Sequence, residues 1–253
     1  MDPLQQRIQR MKEMFPGPPE GAGPEYECPI CKDTEMILYW VDGVEYAKSC
    51  ECATRKRAAR LLRLSGISES DSQKGFKDFQ TFNEAGLVNA KNTAVQYYRD
   101  FVRNREQRVN SILLCGASGR GKTTLGLCIC NNLIQNGIAV RYMPYRQEIT
   151  ALKQEITDDI NYNNHMWPLK NAKVLFIDDF LKGKITESDI NIMYELINHR
   201  YLARLPIVLT TERTIPEMMQ IDEATASRLV EMSRDYLVTF GRDIENYRLR
   251  GSI

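Results

Sequence analysis

Gly116-Ala117-Ser118-Gly119-Arg120-Gly121-Lys122-Thr123 fits G-x-x-x-x-G-K-[ST] and decides how the rest of the chain is read. Before it, Ser111-Ile112-Leu113-Leu114-Cys115 reads as a buried strand; after it, Thr124 to Gln135 places apolar residues at helical spacing. Strand, glycine-rich loop and helix in that order form a phosphate-binding P-loop. The glycines allow backbone N–H groups to turn onto phosphate oxygens without Cβ clashes, and the helix presents its positive end to the same anion. Gly116, Ser118, Gly119, Arg120, Gly121, Lys122, Thr123 and Thr124 are therefore the candidate nucleotide-binding residues. Lys122 is placed to reach the β- and γ-phosphates of ATP, and Thr123 to ligate Mg²⁺.

Downstream of this loop the pattern is that of an α/β domain. Ile138 to Met143 reads as a strand, Arg146 to Ile160 as a helix, and Asn161 to Pro168 as a loop with Trp167 buried and His165 incidental. Lys173-Val174-Leu175-Phe176-Ile177-Asp178-Asp179 is a continuous apolar strand ending in two carboxylates, the form of a Walker B acidic pair. Parallel α/β sheets place ligands at the carboxyl ends of their strands. Asp178 would then hold Mg²⁺ through water, and Asp179 would orient or deprotonate the attacking water. Ile185 to Leu202 reads as an amphipathic helix and Leu205 to Thr211 as a further buried strand. Thr211 or Glu212 at its end contacts the γ-phosphate or the lytic water, unless Thr211 merely caps the strand. Two short helices, Ile215 to Met219 and Glu223 to Met232, precede a last strand at Tyr236 to Phe240.

Upstream, Asn89 to Asn104 reads as a helix leading into the P-loop strand, and the aromatics of Phe76-Lys77-Asp78-Phe79-Gln80-Thr81-Phe82 are expected to pack on the base of the following domain. Ser65 to Lys74 reads as a polar linker. Ala53 to Leu64 is a helix carrying Arg55, Lys56, Arg57, Arg60 and Arg63, either a surface for nucleic-acid phosphates or a solvated connector. Before it lie Cys28-Pro29-Ile30-Cys31 and Cys50-Glu51-Cys52, flanking strand-like Met36 to Trp40 and Val44 to Ala47 around Asp42-Gly43. Two close cysteine pairs across a hairpin are the layout of a small zinc ribbon, in which Cys28, Cys31, Cys50 and Cys52 close a tetrahedral Zn²⁺ site. So short and polar a segment needs such a staple to fold. His165 and His199 are far away in sequence, so the site is all-sulfur and structural. Leu4, Ile8, Met11, Met14 and Phe15 form an amphipathic stripe ended by Pro16-Gly17-Pro18-Pro19.

Composition bounds these readings. With 253 residues the chain holds one α/β domain and a small appendage, which we divide as 1–25 (helix and Pro/Gly-rich linker), 26–53 (zinc module), 54–82 (basic connector and linker) and 83–253 (ATPase domain). A formal charge of +1 excludes global polyelectrolyte attraction to DNA, so nucleic-acid contacts must come from local patches. No apolar run approaches a membrane span and no signal-peptide core is present, so a cytoplasmic protein without membrane contact is expected. Seven cysteines without a secretory signal favour thiols or a metal over disulfides.

Together the cysteine module, Phe76-Lys77-Asp78-Phe79, the P-loop, Asp178-Asp179, Ser227-Arg228-Leu229 and Tyr247-Arg248 resemble the DnaC/DnaI-like family of AAA+ helicase loaders, particularly phage and mobile-element replication proteins. The resemblance implies a parallel five-stranded sheet in the order 5-1-4-3-2 and no substantial C-terminal lid. It implies that Arg228 is an arginine finger reaching the γ-phosphate of ATP on a neighbouring subunit, and that Arg248 is a second-sensor arginine. The family commonly has Asn where this chain has Glu212, a departure at the first sensor. The implied function is ATP-dependent loading of a replicative hexameric helicase onto single-stranded DNA by a homo-oligomer that forms with ATP bound. The alternatives are a transposase-helper ATPase resembling the IstB group and a nucleotide-switched adaptor with negligible turnover.

Overall fold

The structure, a computed structural model, describes residues 26–241 and 244–246. The N-terminal amphipathic stripe, Tyr247 and Arg248 lie outside the described residues. The chain divides into two units, Met1–Ala53 and Thr54–Ile253.

In the first unit, strands β1 (Met36–Val41) and β2 (Val44–Ser49) form an antiparallel hairpin, with Val41 opposite Val44. Its two-residue turn is Asp42-Gly43, at φ +51° and +78°. Both central residues are left-handed, as the twist-matched hairpin turn requires, and Asp-Gly is the pair that tolerates it. Helix α1 (Glu51–Ser65) starts at the second cysteine pair.

The second unit is built on a parallel sheet of β3 (Ile112–Gly116), β4 (Val140–Pro144), β5 (Val174–Phe180), β6 (Ile207–Thr211) and β7 (Leu237–Phe240). The spatial order is β4-β5-β6-β3-β7. Counted from β3 as the first strand, this is the expected 5-1-4-3-2. Strand alternation sends Ile112, Leu114, Phe176 and Val208 into the core on one face, with α3 (Ala85–Asn104) and α4 (Lys122–Gln135). It sends Leu113, Cys115, Leu175, Ile177 and Leu209 into the core on the other, with α5 (Tyr145–Glu155), α6 (Asp159–Asn171), α7 (Glu187–Leu202) and α9 (Glu223–Met232). Burial on both faces explains why these strands read as unbroken apolar runs. Between these elements stand two short helices, α2 (Glu69–Ser72) and α8 (Ile215–Ile221).

Three expectations change. Residues 161–168 are not a loop but the body of α6, which Asp158 caps by accepting the Asn161 N–H at 3.1 Å. Asparagines and Pro168 weaken the local preference for helix, but buried Met166 and Leu169 anchor it. Trp167, expected inside, is 67% exposed because the two anchoring positions define the opposite stripe. Residues 54–74 are not a solvated linker: Ile67 lies within the core of the second unit and Ala58, Leu61 and Leu62 pack against it, while Phe79 and Phe76 join that core as expected. No described helix is long and apolar enough to cross a membrane.

Candidate active site

The first glycine of the loop is required by close approach. Gly116 has φ +122°, and a Cβ there would lie 2.2 Å from the Phe240 carbonyl oxygen of the adjoining strand. Gly121, at φ +86°, turns the loop into α4. Ser118 to Thr124, with Asp179 and Glu212, line one hollow at the carboxyl ends of the strands. Lys122 is buried there, its Nζ donating to the carbonyls of Gly116 (2.9 Å) and Ala117 (2.7 Å). Burial lowers its pKa, against the attraction of Glu212 and Asp179. Phosphate oxygens would therefore meet a cation poor in water contacts and held by two neutral acceptors, a favourable exchange for both partners.

The acidic pair depends on a bulge in β5. Ile177 faces Leu209 and Phe180 faces Thr211, so the strand carries one residue more than its partner between those points. Consecutive residues of a regular strand point to opposite faces. Here Asp179 adopts φ +58°, and both carboxylates reach the ligand end of the sheet. Asp178 is 6% exposed. Its Oδ1 accepts from Thr123 Oγ1 (2.8 Å) and Thr210 Oγ1 (2.6 Å), and its Oδ2 from Tyr142 OH (3.1 Å). Burial pushes the Asp178 carboxyl up from its ordinary range while these hydroxyls oppose the shift. The Asp179 N–H donates to Thr210 Oγ1 (2.9 Å), so one hydroxyl orients both acidic residues.

A charged group closes the other side. Lys182 Nζ is 2.7 Å from Asp179 Oδ2 and 3.4 Å from Glu212 Oε1. The bond to Asp179 raises the Lys182 pKa, and a bond from Ser118 lowers that of Glu212. Sequence reading missed Tyr142, Thr210 and Lys182. The first two sit inside apolar strand runs, and Lys182 follows the acidic pair without a motif of its own.

Thr211 is not part of this arrangement. It is fully buried, donating to the Phe180 carbonyl (2.7 Å) and accepting from the Arg213 N–H (3.1 Å). Strand alternation explains the correction: Thr210 points to the acidic pair, so its neighbour points away and caps the bulge, while Glu212 beyond the strand end reaches the hollow. Arg228, on α9, is outside the hollow as well. Its Nε donates to Asn198 Oδ1 (3.1 Å) and its Nη1 to the Ala224 carbonyl (2.6 Å), and its guanidinium lies 5.2 Å from the Tyr194 ring centre and 5.4 Å from that of Tyr201.

In the first unit the sulfurs of Cys28, Cys31, Cys50 and Cys52 all lie within 4.8 Å of one another and are buried. Cys28 and Cys50 are 3.8 Å apart and Cys31 and Cys52 3.3 Å apart. Backbone N–H bonds, chiefly that of Cys31, outweigh burial and hold the Cys28 thiol down to about 6. Asp33 braces the turn by accepting the Glu27 and Cys28 N–H groups at 3.0 Å each. The donor set of four clustered thiols, one already favouring thiolate, fits a metal ion of soft-ligand preference.

A doubly covered parallel sheet with a P-loop at the end of the interior strand β3 and a bulged acidic pair near it defines an ATP-binding protein of the AAA+ class. Comparison with known proteins places it further: residues 32–235 match the model of the IstB-like ATP binding protein family, and the chain belongs to that family. It is 36% identical over 243 residues to the phage-like element PBSX protein XkdC of Bacillus subtilis, covering 92% of this chain and 90% of that one. It is 24% identical over 254 residues to the replicative helicase loader DnaC of Escherichia coli, covering 98% of this chain and 96% of the other. Among solved structures, the crystal structure of DnaI superposes with a TM-score of 0.59 at 17% identity, covering 72% of this chain and 95% of that chain, a likeness of fold.

Proposed function

We propose that the protein is an ATP-hydrolysing loader that places a replicative hexameric helicase on single-stranded DNA. The observation that carries this reading is the division of the chemistry. Lys122, Asp179 and Glu212 line one hollow, with Asp178 bonded to Thr123 beneath it, whereas Arg228, the candidate finger, stands outside it on a helix surface. The site of one chain is then half of a catalytic site, completed by a neighbouring copy. Likeness to a replicative helicase loader along nearly the whole chain supports the choice of partner.

In this reading the loop N–H groups and Lys122 bind the phosphates, and Asp179 orients the attacking water and takes its proton. Lys182 holds the Asp179 carboxylate in place beforehand. Thr123 and Asp178, already 2.8 Å apart, offer the hydroxyl and carboxylate oxygens that suit Mg²⁺, which supplies charge neutralisation on the β- and γ-phosphates. Arg228 of one copy stabilises charge on the phosphoryl group held by the next, and Arg248 is a second phosphate contact. The four cysteines hold Zn²⁺ as a structural ion, leaving the hairpin to contact the partner.

The test is subunit mixing. Lys122→Ala and Arg228→Ala proteins are each expected to lose DNA-stimulated ATPase, an arginine finger being worth about 10³–10⁵ in rate. Mixing the two restores a fraction of it, because some interfaces pair an intact loop with an intact finger. Full activity in Arg228→Ala alone overturns the half-site. Co-purification from the host of a transposase instead of a hexameric helicase would select the transposase-helper reading.

A further inference from the structure

We infer that the end of the ATPase unit remote from the nucleotide site carries a docking trough for an acidic peptide segment of a partner protein with aliphatic side chains. Two hollows, of about 600 and 520 Å³, share Arg57, Phe101, Arg105, Gly137 and Ile138 and so form one continuous depression. Its walls are the segments that enter the strands: Gly137 to Ala139 before β4, Lys173 before β5 and Ala203 to Pro206 before β6. The P-loop follows the exit of β3, so the two sites stand at opposite ends of the sheet.

This trough has a strongly basic lining. Arg57, Arg99, Arg105, Lys173 and Arg204 line it, with Glu106 as the single acidic lining residue, although the whole chain carries only +1. Among the described residues, Arg99, Lys173 and Arg204 make no ion pair with a carboxylate. Arg57 is already positioned, its Nη2 donating to the Gly137 carbonyl at 3.0 Å. Four of the five cations are arginines, whose planar forks match carboxylates two bonds at a time.

The floor decides between anionic partners. Single-stranded nucleic acid is gripped by phosphate contacts together with exposed rings on which bases stack. Here Phe101 is 2% exposed, and Tyr98 is occupied by Phe76, ring centres 5.8 Å apart, and by a hydroxyl contact with Asn136. What remains accessible is aliphatic: half-buried Leu61, Ile138 and Leu205 and exposed Val102. An aliphatic floor with an arginine rim is complementary to a peptide that alternates carboxylates with Leu, Ile or Val. The trough accounts for the basic helix α1 through Arg57, and it does not depend on the helicase-loading reading.

The experiment uses the full chain and a random dodecapeptide display library, with counter-selection on Arg99→Glu/Arg105→Glu/Arg204→Glu protein. These three positions are exposed, so the variant is expected to keep its thermal midpoint and its ATP affinity. Enriched peptides are expected to combine Asp or Glu with Leu, Ile or Val, and a fluorescein-labelled selected peptide should bind the variant at least about tenfold more weakly. The inference is overturned if enriched peptides show no acidic-aliphatic bias or bind both proteins equally. It is overturned equally if fluorescein-labelled dT15 is the probe whose affinity the triple variant loses while peptide binding is unchanged.

Discussion

Replacing Arg200 by Met should destabilise the second unit more than any surface change near the P-loop. Arg200 lies on α7, fully buried. Its Nη1 donates to the carbonyls of Leu169 (2.9 Å), Lys170 (3.1 Å) and Ala172 (3.0 Å), and its Nη2 to that of Pro206 (2.7 Å). The first three belong to the last turn and cap of α6, whose carbonyls have no intrahelical partner. Pro206 O keeps a second donor, the Leu175 N–H at 3.2 Å, but the end of α6 would lose the Arg200 donors. A buried acceptor left without its donor costs about 1–3 kcal/mol, so losing the donors to the end of α6 is expected to cost about 3–5 kcal/mol, net of the desolvation that the buried guanidinium no longer incurs. For a unit of this size each kcal/mol moves the midpoint by about 2–4 °C, so a fall of roughly 6–20 °C is expected. Differential scanning calorimetry of wild type, Arg200→Met and Arg200→Lys measures it. Lys restores the charge but lacks the second planar nitrogen, and should fall between the other two. A loss below about 1 kcal/mol in the Met variant would refute the reasoning, because it would mean that the carbonyls find other partners at no cost.

The remaining expectations concern the site, the metal and pH. His165 bridges α6 to Glu148 (2.6 Å) and Glu155 (2.9 Å) on α5; burial opposes protonation there, but the two carboxylates outweigh it and raise the pKa above 6.5. A raised histidine stabilises fully below its unfolded value and loses that contribution as pH rises through the folded value. The midpoint advantage of wild type over His165→Gln should therefore be present at pH 5.5 and absent at pH 8.5, and an advantage growing with pH would contradict the assignment. Thr210→Val removes a donor to Asp178 and the acceptor of the Asp179 N–H, and should lower kcat about 10²-fold or more while leaving ATP binding nearly unchanged. Thr211→Val, by contrast, should reduce thermal stability more than it alters kcat, and an opposite ranking of these two variants would restore Thr211 to the site. Gly116→Ala should abolish ATP binding measured by calorimetry, since its Cβ must displace the Phe240 backbone. Chelation of the purified protein, or Cys28→Ser, should lose one equivalent of zinc by elemental analysis and the ordered NMR signals of the hairpin, while the second unit keeps its melting transition.

Much of the protein was decided by short-range chemistry and is legible along the chain. The spacing of Gly116, Gly121, Lys122 and Thr123 needs only a strand before it and a helix after it. Doubly buried strands must be apolar throughout, so Ile112 to Cys115, Val174 to Ile177 and Ile207 to Leu209 announce themselves. Cys28, Cys31, Cys50 and Cys52 sit in tight pairs around an Asp-Gly turn, which brings their sulfurs together with little freedom left. What the tertiary structure alone decided depends on neighbours distant in sequence. The bulge between Ile177 and Phe180 is visible only against β6, and it brings the Asp179 carboxylate to the same end of the sheet as that of Asp178. Helix α6 forms despite its asparagines and Pro168 because Met166 and Leu169 find a core and Arg200 supplies donors to its last turn. The basic trough exists because chain folding sets residues 57, 99, 105, 173 and 204 around one hollow, a coincidence in space that no local pattern encodes.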